Sequence, residues 1–597
     1  MHESILFGIA CIFLLGIGAQ WLAWRLRFPA ILLLLIAGFL AGPVTGIIDP
    51  DELLGDLLPP LVSLSVGIIL FEGGLSLKFR ELRQIAGVVR NLLSVGVIVT
   101  WAIAASAAYR VLDLDFGIAV LLGAILVVTG PTVIIPLLRH VRPSAQVGSI
   151  LKWEGILVDP IGAVLAVLTF EVILQTELQP LARVAILGLL KTVVAGGLAG
   201  IVAAFVLLLF LRKFWIPDFL QNPASLMAVI AVFVGSNAIQ AESGLLATTV
   251  MGLILANQKK VPVKHIVEFK ENLRVLLISS LFVLLAARMQ VRQFTEMGIE
   301  SLAFLAALVV VGRPASVFFS TLGSELSWRE RLFLSWMAPR GIVAAAVSSV
   351  FALRLSEAGY GEANILVPLT FFVVAGTVAL YGLTAAPMAR LLKISKADSQ
   401  GVLMAGAHTW AREMARTLVD QGYEVLLVDT NRRNVYQCRM SGLSAMHANI
   451  LADRFFSETE LDGIRRLIAL TPNDEVNSLA CLKGRERFGR DQVYQLIHEE
   501  AKEEWKYGPP AADFGRYLFA PGVTYERLDV QFGEGAAIKR NRLTEEFGYE
   551  DFRKLYGEEA IPLFIIVDGE LTVITADTQP NPKPGQTLIS LVPAPRG

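Results

Sequence analysis

Two carboxylates and a helix break lie where an apolar membrane helix should carry neither. Between Leu122 and Val167 the chain reads LGAILVVTGPTVIIPLLRHVRPSAQVGSILKWEGILVDPIGAVLAV, with Gly130-Pro131 inside one apolar run and Glu154 and Asp159 inside the next. Unwound backbone exposes groups that lipid cannot satisfy, and a carboxylate at a helix centre costs about 2.5–3.5 kcal/mol on insertion scales, so each calls for a function. Asp159 stands between Val158 and Pro160 with Gly162 beyond, and no neighbour in sequence can neutralise it. Burial favours the neutral carboxyl and a bound cation favours the ionised one, so proton and cation would compete for a single group. That competition is itself an exchange mechanism.

Glu154 lies five residues earlier, about 7.5 Å along a helix axis and turned by roughly 140°, so the two acids do not share a face and should have different roles. Arg340, in SWMAPRGIVAAAVSSV, is a second intramembrane charge that must find a partner. The expectation is a structural ion pair between Glu154 and Arg340 that leaves Asp159 free to titrate. Thr129 and Thr132, flanking Gly130-Pro131, can offer hydroxyl and unwound carbonyl oxygens to a dehydrated cation. Glu72 and Glu242 are further near-membrane acids, suited either to the ion path or to hydrogen bonding at helix ends.

The elements that must position these residues are membrane helices. The 597 residues are 54% hydrophobic, far above what a soluble chain of this size needs to fill its cores. Thirteen apolar runs can be counted at 4–24, 29–47, 58–76, 86–110, 116–138, 148–174, 184–211, 223–240, 243–258, 272–288, 298–321, 331–353 and 363–391. The first has no basic segment before it and no small-residue cleavage site after it, and is read as a retained helix. Basic residues follow every odd-numbered run: Arg25 and Arg27, Lys78, Arg80 and Arg83, Arg139 and Arg142, Arg212 and Lys213, Lys259 to Lys270, Arg329 and Arg331, and Arg390 to Lys396. Even-numbered exits are acidic, as at Asp49, Asp51, Glu52 and Asp56, or mixed, as around Arg288 and Arg292. The positive-inside rule then predicts an external N-terminus and a cytoplasmic C-terminal domain, in a bacterial inner membrane.

Run twelve repeats the break of run five seven passages later, as Ala338-Pro339-Arg340-Gly341 against Thr129-Gly130-Pro131-Thr132. Runs one to six and eight to thirteen are therefore expected to be inverted repeats, with run seven as linker. The near-neutral charge of −1 argues against a nucleic-acid partner. Cys11, Cys438 and Cys481 are too few and too scattered for a disulfide framework or a zinc site, so no metal is expected beyond a transported monovalent cation. The residues predict a transporter, not an enzyme.

The combination of TGPT in one broken helix, WEGILVDPIGAV in the next, FEGGLSL from Phe71, AESGLLATTVMGLILAN from Ala241 and PRGIV around Arg340 resembles the NhaP and NHE-type branch of the monovalent cation:proton antiporters over nearly all of residues 1–393. The resemblance implies a thirteen-helix fold with a dimerisation domain beside a moving core, elevator-type alternating access, a homodimer in the lipid bilayer, and Na⁺ or K⁺ and H⁺ as substrates. It implies that Asp159 is the ion-binding aspartate, Thr129 the broken-helix ligand, and Glu154 and Arg340 the family's acid and arginine. Many relatives have Asn where this chain has Val158, and Ser where it has Gly155. The first leaves one titrating acid, compatible with electroneutral exchange; the second removes a hydroxyl ligand.

From Gly401, GVLMAGAHTWAREMARTLVDQGYEVLLVDTNRRNV reads as strand, turn, helix and a second strand ending at Asp429, the opening of a dinucleotide-binding βαβ unit. Its three glycine positions hold Gly406, His408 and Ala411, and a histidine at the second should obstruct a pyrophosphate. Gly406, His408 and Asp429 are the candidate residues for an adenine nucleotide, the one cofactor the sequence suggests; a module that binds none and serves assembly is the other reading. Residues 399–500 resemble the TrkA-type or RCK regulatory domain, and residues 501–597, whose last part alternates like strands around turns, its small C-terminal lobe. The expected fold is thus an all-α polytopic membrane domain followed by an α/β Rossmann-like domain with a β-rich lobe. The functional alternatives are a K⁺/H⁺ antiporter gated by nucleotide and an RCK-regulated cation channel. For a channel, the Gly359-Tyr360-Gly361 triplet lies in an outer loop rather than on a pore loop.

Overall fold

The computed structural model describes residues 2–594 except 27, 142, 175–180, 259, 262, 290–296, 395–399, 453–454, 460, 462, 499–513 and 579. Loop charges Arg27, Arg142, Lys259, Arg292 and Lys396, and the expected junction at 500/501, lie outside the described residues. The chain forms two compact units, Met1–Ala397 and Asp398–Gly597.

The first unit is helical throughout: α1 (His2–Leu26), α2 (Ala30–Phe39), α3 (Leu58–Ser76), α4 (Phe79–Val111), α5 (Phe116–Ile125), α6 (Pro131–Val141), α7 (Ala145–Leu174), α8 (Leu181–Arg212), α9 (Asp218–Ile239), α10 (Ser243–Asn257), α11 (Lys264–Ala287), α12 (Ile299–Ser320), α13 (Trp328–Trp336), α14 (Ile342–Glu357) and α15 (Leu366–Leu391). Pairing α5 with α6 and α13 with α14 as two broken helices leaves, among the described residues, one passage for each of the thirteen apolar runs. Eight of these helices are long and apolar enough to cross a bilayer unbroken.

Two helices begin well before their apolar runs. α4 starts at Phe79 with FRELRQ and α11 at Lys264 with KHIVEFKE, so each gains turns that hydropathy alone rejects. In α4 the exposed Arg80 and other polar residues of the first turns keep their charges toward water, whereas in α11 Lys270 turns inward. A π-helical turn interrupts α4 at Leu92–Gly96 and another interrupts α12 at Leu308–Gly312, at matching passages four and eleven of the two repeats. The two touch, with Ser316 Oγ donating to the Gly96 carbonyl at 3.1 Å and Asn91 Nδ2 to the Ser320 carbonyl at 3.1 Å.

Four contacts join loop ends that are far apart in sequence. Asp51 meets Arg288 at 3.0 Å, and the Glu362 carboxylate accepts from the Asp115 amide at 3.0 Å. Arg139 pairs with Glu271, and Lys152 with Glu81 at 2.7 Å. Residues of α3, α8, α9, α10 and α11 form one apolar cluster, and a larger one joins residues of α1–α7 and α9–α15.

The second unit opens with β1 (Gly401–Ala405), α16 (Thr409–Val419), β2 (Val425–Asp429), α17 (Arg432–Met440), β3 (Ser444–His447), β4 (Ile464–Ala469), α18 (Asp474–Phe488), β5 (Val493–Gln495) and β6 (Arg516–Tyr517). These strands pair in parallel in the order β3-β2-β1-β4-β5-β6, the doubly wound order with its reversal between β1 and β4. The sixth strand comes from beyond residue 501. It is followed by α19 (Tyr525–Gly533), β7 (Ala537–Arg542), α20 (Tyr549–Tyr556), β8 (Ile561–Val567), β9 (Glu570–Val573) and β10 (Thr587–Val592), the strands forming an antiparallel sheet β7-β10-β8-β9. Met404, Trp410, Leu528, Phe564 and Ile589 belong to one core shared by both sheets.

Candidate functional site

The two unwound segments, residues 126–130 and 337–341, cross each other in backbone contact. The Gly130 amide donates to the Pro339 carbonyl at 3.2 Å, and a Cβ built on either Gly130 or Gly341 would lie 2.3 Å from the other's Cα. Only glycine at both positions permits this approach. Gly130→Ala and Gly341→Ala are each expected to cost about 1–3 kcal/mol by overpacking. A drop in the detergent thermal midpoint would register it, and an unchanged midpoint would contradict the contact.

α7 packs directly on the first break, since a Cβ at Gly162 would meet Val128 Cγ2 at 2.4 Å and the Val128 amide nitrogen at 3.3 Å. Asp159 precedes Gly162 by one helical step on the same face, which sets it beside the break that carries Thr129 and Thr132. Asp159 is fully buried, and neither carboxylate oxygen has a hydrogen-bond partner. The hydroxyls of Thr129 and Thr132 are buried and unpartnered as well. Pro160 supplies no N–H to the Ile156 carbonyl, leaving one more oxygen on this stretch of α7 without its helical donor. Gly155 seats α6: a side chain there would meet Ile134 Cδ1 at 2.8 Å.

The other charges at the crossing are matched, though not as the sequence suggests. Glu154 pairs with Arg313, not with Arg340: Nη1 and Nη2 of Arg313 donate to its two oxygens, the second at 2.9 Å, in a fully buried bidentate fork. Arg313 Nε also donates to the Leu334 carbonyl at 2.9 Å, at the C-terminal end of α13. Arg340 instead donates through Nη1 to the Val127 carbonyl at 3.0 Å, just past the end of α5. Each half-helix therefore ends on a guanidinium that meets its negative dipole terminus. The reason for the exchange of partners is spatial. Arg340 lies on the unwound segment and faces the carbonyls it crosses, whereas Arg313 follows the π turn of α12 and faces α7. A lone arginine in LAFLAALVVVGRPASVFF was the available signal for Arg313. Glu72 also has a partner, Arg274 of α11 at 2.7 Å, and its second oxygen is buried without one. Lys270, one turn before Arg274, is buried with its ammonium over the Phe71 and Phe269 rings.

In the second unit Gly406, His408 and Asp429 come together at the turn after β1. Gly406 has φ +109°, a value that favours glycine. His408 Nε2 lies 2.7 Å from the Leu470 carbonyl, which can only accept, so this nitrogen carries the proton of the neutral ring. Burial holds the His408 imidazole below its ordinary range, aided by Arg412 and opposed by the Leu470 carbonyl and the carboxylates of Asp429 and Asp529. The unfolded chain then takes up a proton that the folded unit refuses. The stabilisation is complete above the ordinary imidazole pKa of about 6.5 and is lost as pH falls below it. Thermal unfolding of the full chain should show a midpoint that declines below about pH 6.5, with His408→Gln flattening that part of the profile.

Comparisons with known proteins agree with this architecture. The family model described as sodium/hydrogen exchanger, transmembrane, matches residues 9–391, and the TrkA-N domain matches residues 402–507. The K(+)/H(+) antiporter NhaP of Alkalimonas amylolytica is 26% identical over 66% of this chain and 67% of its own length. Na(+)/H(+) antiporter 1 of Methanocaldococcus jannaschii is 27% identical over 60% of this chain and 86% of its own. The structure of the sodium proton antiporter MjNhaP1 from the same organism, at pH 8, aligns with TM-score 0.58 and 23% identity over 66% of this chain and 99% of that one, a likeness of fold. With a family match spanning most of its length and the crossed, broken helices in place, the chain belongs to the transmembrane sodium/hydrogen exchanger family and carries a TrkA-N domain behind the membrane unit.

Proposed function

We propose that the protein exchanges Na⁺ or K⁺ for protons across the cytoplasmic membrane of a bacterium, and that Asp159 binds cation and proton in turn. One observation carries the reading. Asp159 is the carboxylate at the crossing whose two oxygens have no partner, while Glu154, Arg313 and Arg340 are all engaged. A buried group left without a partner is matched to a visiting one, and the hydroxyls of Thr129 and Thr132 are free to complete the cation's shell. A single titrating acid makes the exchange one cation for one proton. The named relatives include both a K⁺/H⁺ and a Na⁺/H⁺ antiporter, which supports the reaction class and keeps both cations as substrates.

The alternation of basic loop ends supports an external N-terminus with the TrkA-N unit in the cytoplasm, where it regulates the membrane unit. Membership of the exchanger family supports elevator-type alternating access within a homodimer as the form this exchange takes. Proteoliposomes with an imposed pH gradient test the proposal: addition of Na⁺ or K⁺ should dissipate the gradient, at a rate insensitive to membrane potential. Conductance without cation-coupled proton movement would overturn it.

A further inference from the structure

A Rossmann sheet with this strand order receives a dinucleotide at the reversal between β1 and β4, with the pyrophosphate over the glycine turn and an acid at the end of β2 on the ribose. Three features of the present turn oppose that arrangement. The first is the His408 side chain. Its ring folds back over the turn, with Nε2 3.4 Å from the place a Cβ on Gly406 would take, and bonds to the carbonyl of Leu470, the residue after β4. The imidazole therefore spans the crevice from one strand end to the other. The second is Asp429, whose carboxylate is already occupied. Oδ2 accepts from the Ala407 amide and Asn434 Nδ2, both at 2.9 Å, and Oδ1 from the Asn431 amide at 2.7 Å. The acid that would meet a ribose instead holds the turn in its present shape. The third is an aromatic cover. Trp410 lies against His408 with ring centroids 4.1 Å apart, and Tyr525 of α19 meets it edge-on at 5.0 Å.

We infer that the dinucleotide crevice of this unit is self-occupied: the His408 ring takes the place of the pyrophosphate, α19 of the C-terminal lobe closes over it, and the unit binds no dinucleotide. The contact between the β1 turn and the C-terminal lobe is made by the chain's own His408 and Tyr525 rings. Whatever the unit senses, it does not sense through this crevice. Of the three features His408 is the one a single substitution can remove, and His408→Gly would also complete a G-x-G-x-x-A pattern with Gly406 and Ala411.

The test compares full-length protein with its His408→Gly variant, using NADH fluorescence titration and thermal shifts with NAD⁺, NADH and ADP. The expected result is no saturable signal from the native chain, and a saturable fluorescence change with an upward midpoint shift in the variant. His408→Ala, which removes the ring but keeps ordinary backbone preferences, serves beside it in case the glycine variant does not fold. Saturable binding of any of the three nucleotides by the native protein would overturn the inference. So would failure of both variants to bind while the folded one keeps a native-like midpoint, since the exclusion would then not reside in His408.

Discussion

Asp159→Asn is expected to reduce cation-coupled proton flux in proteoliposomes to the background of empty vesicles while leaving the protein folded. The two halves of this result have one cause. In the folded chain the carboxylate oxygens accept no hydrogen bond, so replacing the group by an amide of the same shape removes no protein contact. What would disappear, on the proposed function, is the capacity to hold a proton at one moment and a cation at another. Thermal stability supplies a second readout, because a ligand that binds the native state alone raises the midpoint in proportion to its occupancy. The native protein should be stabilised by whichever of Na⁺ and K⁺ it transports, and the Asn variant by neither. Retained exchange in that variant would remove Asp159 from the mechanism.

Arg313→Ala is expected to destabilise the membrane unit by about 3–5 kcal/mol, since it strands the Glu154 carboxylate in a buried site without its bidentate partner. Replacing both members, as Glu154→Gln with Arg313→Met, should recover a large part of the loss, because no uncompensated charge remains. A double-mutant cycle measures this coupling directly. Arg340→Ala should show little coupling to Glu154, since the Arg340 guanidinium serves the Val127 carbonyl instead. Strong coupling of Glu154 to Arg340 with none to Arg313 would reverse the assignment. The ionised crossing holds two guanidiniums and two carboxylates, so loading Asp159 with a proton or a cation leaves the same net positive charge in either state.

Much of this arrangement is legible in the residues. The thirteen passages follow from the apolar runs, because lipid admits few other solutions. The paired breaks follow from Gly130-Pro131 and Pro339-Arg340-Gly341. Asp159 stands out for the same reason, as an acid in sequence that offers it no counter-charge. The helix starts at Phe79 and Lys264 are less visible, since a hydropathy window penalises the charged turns that an interfacial helix tolerates. In the TrkA-N unit, the sequence puts His408 at a glycine position but does not say where its ring goes.

What linear order could not supply was the choice among partners. Arg313 and Arg340 are both single arginines in apolar surroundings, separated from Glu154 by 159 residues in one case. Their types and spacing make either a plausible mate. The choice falls out of how the helices meet: a π turn directs Arg313 at α7, while the glycine-to-glycine crossing lays Arg340 along the carbonyls of the opposite break. Local physics writes the charges and the breaks into the chain. The distance between two charges far apart in sequence is set by packing alone, and so is the pairing of Glu154 with Arg313 that leaves Asp159 as the open group.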